Sequence, residues 1–425
     1  MVIYKVNELN LSIAFIDVLG LPYCGDTLKK RGLGGSESSV ILIAPELVKL
    51  GFQVTVFNRC GEDDTHPGVY DGVNYINLNG ISSCSNIDII ISSRSIAPYT
   101  GDPKFNNIIK TAKYKVLWMH DTFVQGSDPF VEHMIVNKRF DKIFTLSDFH
   151  SVYVTNCDHG AKRMFEVLKN KIFQTRDGMR RYHDWVNVFA KDPNLFIYNA
   201  SLTKGMVPLV KDIWPKFIEQ VPHAKLVIIG GFYRFPDRQP DDQEKRWHEL
   251  KALPNNKNIT FTGIIKQDEI ADLLTKASYY VAPGAFPETF GISALEALNY
   301  NTPIIGCRFG AMEETAIDKA SYLLDYPVEP NGLFPNINKD EQVNRFLDMM
   351  LRAHADKYLW KQKAHYCNIV KPYSQWDSIA LQWKQHFYNV LGEYLPVEEY
   401  LQVKYINKRI HQIFGRRFAN PEDFL

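Results

Sequence analysis

Short apolar runs recur along the chain with room for one helix between most of them. LSIAFIDV is followed by a helical pattern from Ser36 to Leu50, and then come FQVTVFN, IDIIISS, KVLWMH and DKIFTLS. Near-continuous apolar strands alternating with amphipathic helices predict a parallel sheet covered on both faces. A second series comprises LFIYNAS, a helix from about Gly205 to Gln220, KLVIIGG, ITFTG, YYVAPG, a helix beginning near Thr289, PIIGC and SYLLD. The pattern predicts two doubly wound α/β domains joined across KIFQTRDGMRRYHDW, with no internal repeat. From about Lys339 the chain turns helical, and Trp376, Trp383 and Phe387 fall near one helix face.

Charge adds little: 49 Lys and Arg stand against 48 Asp and Glu, which gives no reason to expect nucleic acid as a partner. The six cysteines, Cys24, Cys60, Cys84, Cys157, Cys307 and Cys367, are scattered without a C-x-x-C pair or clustered histidines. Neither a zinc site nor a disulfide framework is expected, and reduced thiols in a cytoplasm fit. The first twenty residues lack the pattern of a signal peptide, and no later run approaches about 18 apolar residues, so a soluble protein is expected. The last helical stretch, LQVKYINKRIHQIFGRR, sets Lys404, Lys408, Arg409, Arg416 and Arg417 beside an apolar stripe of Leu401, Tyr405, Ile406, Ile410 and Phe414. It reads either as a helix making peripheral contact with an anionic membrane or as a packed helix with a solvated basic face.

In a doubly wound sheet, ligands bind beyond the carboxyl ends of the strands, where helix N-termini present backbone N–H groups. RGLGGSESS places Gly32, Gly34 and Gly35 between the first strand and its helix, with Ser36 as the expected N-cap. Glu37 stands where a dinucleotide fingerprint needs its third glycine, which removes the main support for an oxidoreductase. His120 and Asp121 emerge at the end of KVLWMH, as a catalytic pair or as an ordinary turn. Lys204 in YNASLTKGM occupies the equivalent edge of the second domain, as a point charge for phosphate oxygens or as a plain surface lysine.

GAFPETFGISALEALNYNTPII sets Glu288 and Glu296 into an otherwise apolar stretch. If the helix starts near Thr289, eight residues rise about 12 Å. That spacing suits two acids gripping the ends of a long ligand better than a pair flanking one glycosidic bond, which needs about 5 to 9.5 Å. Between them the N–H groups of Thr289, Phe290, Gly291 and Ile292 are the orphan donors of a helix start. The plainer reading has Glu288 complementing the helix dipole and Glu296 facing water.

PETFGISALEAL resembles the E-x7-E motif of retaining glycosyltransferases, in particular glycosyltransferase family 4 with its GT-B fold. The resemblance extends in order over most of the chain, through LGGSESSVILIAPELVKLGFQVTVF, LWMHDTF, DKIFTLSDFH, YNASLTKGMVPLV and YSQWDSIALQWKQHF. It implies two Rossmann-like domains facing across a cleft, acceptor-side over residues 1–172 and donor-side over 173–372, with helices over 373–425 returning to the N-terminal domain. It implies that Glu296 binds the ribose of a nucleotide-sugar donor and Glu288 a hydroxyl of the transferred sugar. Lys204, Ser201 and the N–H groups of Phe290, Gly291 and Ile292 would hold the diphosphate. Gly34 and Gly35 would lie close to the donor, and His120 would contact the sugar. Transfer would retain configuration without a metal or other cofactor, to a carbohydrate, lipid-linked or other glycan acceptor.

One departure stands out: Asn199 and Ser201 occupy the region where many relatives carry an Arg, leaving Arg176 and Arg308 as candidate substitutes. A non-catalytic nucleotide-sugar or carbohydrate-binding module, or a GT-B epimerase or hydrolase, therefore stand as alternatives.

Overall fold

The computed structural model of the chain describes residues 10–122, 139–156, 171–231, 242–254, 256–284, 286–325, 339–392 and 394–414. Cys157, Arg416, Arg417 and residues 232–241 of the charged insertion GFYRFPDRQPDDQEKRWHEL lie outside these. The chain divides into two compact units: one gathers residues up to Leu28, Leu33–Arg180 and Tyr373 onward, the other Lys29–Gly32 and Arg181–Pro372.

The first unit is built on an eight-stranded sheet. Its strands are β1 (Ser12–Ile16), β2 (Gln53–Asn58), β3 (Gly68–Tyr70), β4 (Val73–Asn77), β5 (Ile89–Ser93), β6 (Tyr114–Trp118), β7 (Lys142–Thr145) and β8 (Ile172–Gln174). They lie in the order β3-β4-β2-β1-β5-β6-β7-β8, and every neighbouring pair is parallel except β3 with β4. All five residues of central β5, three isoleucines and two serines, are buried, as a strand covered on both faces requires. The sequence pattern did not predict β3, β4 and β8, which are edge or near-edge strands with short, half-polar stretches. Since β8 pairs with β7, the expected boundary at residue 172 falls inside the first sheet, and the first unit continues to Arg180.

Helix α1 (Gly35–Lys49) follows β1, and α2 (Asp148–Asn156) follows β7. Gly34, in extended conformation, is the N-cap of α1; Ser36, expected there, lies inside the helix and its hydroxyl donates to Glu37. A long glycine turn gives the backbone freedom to enter the helix without a side-chain cap, so the Ser pattern misplaced the start by two residues.

The second unit carries six strands: β9 (Asp192–Asn199), β10 (Lys225–Ile229), β11 (Ile259–Gly263), β12 (Ala277–Ala282), β13 (Ile304–Arg308) and β14 (Ser321–Asp325). All are parallel, in the order β11-β10-β9-β12-β13-β14. Helix α3 (Ile292–Asn299) follows β12. The helical run after β9 is interrupted: a wide turn over Leu209–Ile213 separates Met206–Pro208 from Trp214–Gln220. At the amino ends of these strands the buried Lys191 ammonium donates to the carbonyls of Leu274 and Ala277 and to the Thr302 hydroxyl, at 2.7, 2.7 and 2.9 Å.

Helices α4 (Trp376–Leu391) and α5 (Val397–Phe414) belong to the first unit. Trp376, Trp383 and Phe387 are all buried. The Trp383 ring centroid lies 4.9 Å from that of Trp118 and 5.1 Å from that of Phe144, and its Nε1–H donates to Thr175 Oγ1 at 2.6 Å. Met179 N–H donates to Ser374 O at 2.8 Å, and a Cβ on Gly178 would meet the Trp376 ring at 2.8 Å. The last stretch of the first sheet's chain and the start of α4 are thereby held side by side.

Trp383→Ala removes the centre of this aromatic cluster and strands the Thr175 hydroxyl. It should destabilise the protein by about 3 to 5 kcal/mol, read as a lowered urea midpoint by circular dichroism. A change within a few tenths of a kcal/mol would show that α4 is not an integral part of the first unit.

Candidate functional site

In the second sheet the strand order reverses between β9 and β12: chain succession runs outward through β10 and β11 on one side and through β13 and β14 on the other. Such a switch point opens a crevice at the carboxyl ends of its two strands. The loops leaving β9 and β12 meet there with their backbones nearly touching. Gly205 is left-handed at φ 108°, and a Cβ on it would lie 2.5 Å from Gly284 N. No other residue fits this contact. The Pro283 carbonyl accepts from Cys307 Sγ at 3.5 Å and from Gln342 Nε2 at 3.3 Å, which fixes the second loop from below.

This contact brings Lys204 and Glu288 together, though 84 residues separate them. The ammonium lies 2.7 and 2.8 Å from the two carboxylate oxygens and 4.7 Å from the Phe286 ring centroid. Ser201, in the same loop as Lys204, shares a hydrogen bond with Thr203 at 3.2 Å.

Glu288 does not sit at the start of a helix, as the sequence had suggested. Gly291 adopts left-handed φ 86° and ψ 56°, and α3 begins only at Ile292, three residues after the expected Thr289. Glu288 stands in the preceding loop, where its N–H donates to Phe286 O at 2.7 Å and its carbonyl accepts from Ala311 N–H at 2.8 Å. The helical rise between the two acids therefore does not apply. Gly310, at φ 63°, leaves room for this loop, since a Cβ there would lie 2.9 Å from both Glu288 N and O.

Phe290 is buried, and its carbonyl accepts from the Thr315 hydroxyl at 2.5 Å. Among the described residues the N–H groups of Gly291, Ile292 and Ser293 donate to no acceptor, as expected where a helix opens toward a ligand or solvent. The Gly291 carbonyl already accepts from Ala294 and Leu295.

Glu296 lies in the second turn of α3, half-buried, and among the described residues no hydrogen bond or ion pair reaches its carboxylate. Burial alone pushes its carboxyl up to about 7 from a usual value near 4.5. It neither faces open water nor is locked into an internal salt link.

The two arginines proposed as substitutes are elsewhere engaged. Arg308 donates to Asp325 at 2.7 Å and to Asp318 at 2.5 Å, so its charge is already matched by two carboxylates. Arg176 is buried within the first unit.

The first sheet has its own switch point, between β1 and β5. Asp17 follows β1, Arg94 follows β5, and Glu37 stands in the first turn of α1. Arg94 Nη2 lies 3.0 Å from Glu37 Oε1 and 3.4 Å from Asp17 Oδ1. Asp17 also accepts from Gly20 N–H at 2.9 Å, and Glu37 from Leu21 N–H at 3.3 Å, so both acids hold the loop after β1. Burial pushes the Asp17 carboxyl up against the pull of Arg94. Arg94 is left-handed at φ 61°, a conformation that strains a side-chain-bearing residue by about 1 to 3 kcal/mol. Gly34 and Gly35 form the turn into α1 beside this network, and a Cβ on Gly34 would lie 2.5 Å from Glu37 Oε2.

His120 lies past the end of β6, its ring 4.3 Å from that of Trp118. Burial first, then the charges of Arg94 and His150, hold its pKa well below the usual range, so the imidazole is neutral. His150, wholly buried in α2, accepts from Leu146 N–H at Nδ1 (3.1 Å), which leaves Nε2 to donate to Asp121 O at 2.9 Å. That bond braces the turn bearing His120.

Asp17, Arg94 and His150 were not singled out from the sequence, and Glu37 was read only as a missing glycine. The available signal was a charged residue directly beyond an apolar strand, as in AFID and ISSR.

Residues 179–351 match the model of the family described as Glycosyl transferases group 1. The chain is 29% identical over 260 residues to an uncharacterized glycosyltransferase, MJ1178, of Methanocaldococcus jannaschii, a match covering 59% of this chain and 67% of that protein. Among solved structures, sucrose-phosphate synthase from Thermosynechococcus elongatus superposes with a TM-score of 0.65 at 18% identity over 90% of this chain and 99% of that one. Anabaena Alr3699/HepE, solved in complex with UDP and glucose, gives a TM-score of 0.60 at 15% identity over 89% and 99%. The fold is that of the GT-B glycosyltransferases.

The elevated Glu296 pKa fixes the sign of a stability effect. A carboxyl that titrates higher folded than unfolded contributes stability present below the unfolded value and lost as pH rises through the folded one, here between about 4.5 and 7. Glu296→Gln, which carries no charge to desolvate, should raise the melting temperature at pH 8 and leave it nearly unchanged at pH 4.5. Equal shifts at both pH values in thermal melts would exclude a desolvated carboxylate at this position.

Proposed function

We propose that the chain transfers a sugar from a nucleotide-diphosphate sugar to a glycan-type acceptor, with retention at the anomeric carbon and without a metal. The observation that carries this reading is the half-buried Glu296 carboxylate without a protein partner, one turn into a helix whose leading amides have no acceptor among the described residues. A buried carboxylate left without donors is destabilising unless a ligand supplies them. Adjacent ribose hydroxyls supply two.

On this reading the diphosphate lies against the N–H groups of Gly291 and Ile292, where the helix dipole favours negative charge. Lys204 adds a point charge, and Glu288 accepts from a hydroxyl of the transferred sugar. Ser201 offers a neutral hydroxyl. The acceptor oxygen forms its bond to the anomeric carbon as the bond from that carbon to the diphosphate oxygen breaks, and the acceptor's proton passes to the leaving diphosphate. Fixed donors aimed at the developing charge do the work that a metal ion does elsewhere. His120, held neutral by burial, would share a hydrogen bond with the sugar without adding charge.

A second reading, a non-catalytic nucleotide-sugar-binding module, draws on one observation. With Lys204 paired to Glu288 and Arg308 to two aspartates, the leaving charge has few cations to meet it. Release of free nucleotide when donor and acceptor are supplied together supports transfer; binding without release supports the module.

A panel of nucleotide sugars should raise the melting temperature for at least one base, and Glu296→Ala should abolish that shift. Lys204→Ala should slow transfer by about a hundredfold or more. Affinity should rise from pH 6 to pH 8 as Glu296 ionises near 7, because the carboxylate accepts two hydroxyl hydrogen bonds and the acid only one. The donor's own diphosphate is diesterified and does not titrate in this range. A donor shift that survives Glu296→Ala, with pH-independent affinity, would overturn the assignment.

A further inference from the structure

Helix α5 has two apolar faces, and among the described residues only one of them is packed into the fold. Val403, Ile406 and Ile410 are buried at 0%, 7% and 2% exposure. Ile406 and Ile410, which the sequence grouped with Leu401 and Tyr405, thus belong to the core. At about 100° per residue, Val397, Leu401 and Tyr405 fall within about 80° of each other and about 170° from that buried face. They are 74%, 56% and 58% exposed. Lys404 and Lys408 flank them and are also exposed. Arg409 rests against Tyr373, its Nε donating to the phenol oxygen at 3.2 Å, and the Tyr405 hydroxyl lies 3.5 Å from the same oxygen. From Leu401 to Phe414 the helix holds no acid; Glu399, in the first turn, is paired with Lys384 at 2.7 Å, and Glu398 is exposed there.

We propose that this outward face of α5 docks on an anionic lipid bilayer, with Leu401 and Tyr405 entering the headgroup layer and Lys404 and Lys408 reaching lipid phosphates. Apolar side chains flanked by lysines, with a tyrosine at the margin, match what an interfacial helix presents: stems and rings bury while charged ends stay at the headgroups. No described helix is long and apolar enough to cross a membrane, so the contact is peripheral. A second copy of the chain fits this face less well. Three apolar side chains fall far short of the roughly 800 Å² per partner of a stable interface, and a twofold pairing would set lysines against lysines.

The test is co-sedimentation of the full chain with vesicles of phosphatidylcholine alone or mixed with an equal part of phosphatidylglycerol, together with equilibrium centrifugation without lipid. The chain should pellet with the anionic vesicles and not with the neutral ones, and high salt should release it. The double variant Lys404→Glu, Lys408→Glu should lower the partition coefficient by about tenfold or more, and Leu401→Asp should do likewise. Both should melt at the wild-type temperature, because the side chains are exposed. Absence of pelleting, equal pelleting with neutral vesicles, or unchanged partition of the variants overturns the proposal. A dimer that Leu401→Asp dissolves would assign the face to a second copy and also overturn it.

Discussion

The second unit's candidate site depends on a backbone contact that no side chain could make. Gly205 and Gly284 close the loops after β9 and β12 onto each other, and this alone brings Lys204 within reach of Glu288. Each loop is short and anchored at a strand end, so separating the two backbones by the width of one methyl group would move the ammonium and the carboxylate apart by a similar amount. The left-handed turn at Gly205 leads directly into the helical run that begins at Met206. Glycine serves here by volume as much as by torsion: Gly284 has no unusual φ, yet a Cβ on it would meet the backbone of the facing loop.

Two ionisable groups shifted by burial contrast the two ends of the sheet in this unit. Lys191, at the amino ends of the strands, spends each of its three protons on an acceptor. Burial still lowers its pKa to about 7, but its hydrogen-bonding capacity is saturated and nothing further can bind. Glu296, near the carboxyl ends, is displaced to a similar pH by burial and has no protein partner among the described residues. A fold gains nothing from such a group, since an apolar residue of similar size would remove the desolvation penalty. Unmet hydrogen-bonding capacity at a switch point is therefore the feature that separates a ligand site from a buried polar bond.

Strand pattern in the sequence was sufficient for the six strands of the second sheet and five of the first, because each carries a short run of apolar and β-branched residues. It missed β3, β4 and β8, whose short half-polar stretches carry no such signature. Glu288, Glu296, Lys204 and His120 were visible because each follows a strand end or sits in a helix-opening motif. Glu37 was visible only as a failed glycine, although it pairs with Arg94 across 57 positions of sequence. Long-range pairs of this kind leave no periodic trace. The start of α3 was misjudged for a local reason: TFGIS reads as a helix entry anywhere from Thr289 onward, and only the left-handed torsion of Gly291 decides where the amides open.

That torsion also alters the charge argument. If α3 began at Thr289, Glu288 would be spent on the helix dipole and Lys204 would be left to face a ligand alone. With the helix opening at Gly291, Glu288 is drawn back into the loop and neutralises Lys204, so the field at the helix tip comes mainly from the amides of Gly291, Ile292 and Ser293. On the proposed reading, a dianionic diphosphate approaching this tip would meet oriented dipoles first and a shared cation second. Lys204 can swing toward the phosphate only as Glu288 finds another donor, and a sugar hydroxyl is the group that arrives with the same ligand. On the proposed reading, phosphate and sugar would exchange partners with an existing ion pair, and neither charge would be stripped bare in the half-buried loop where desolvation is most costly.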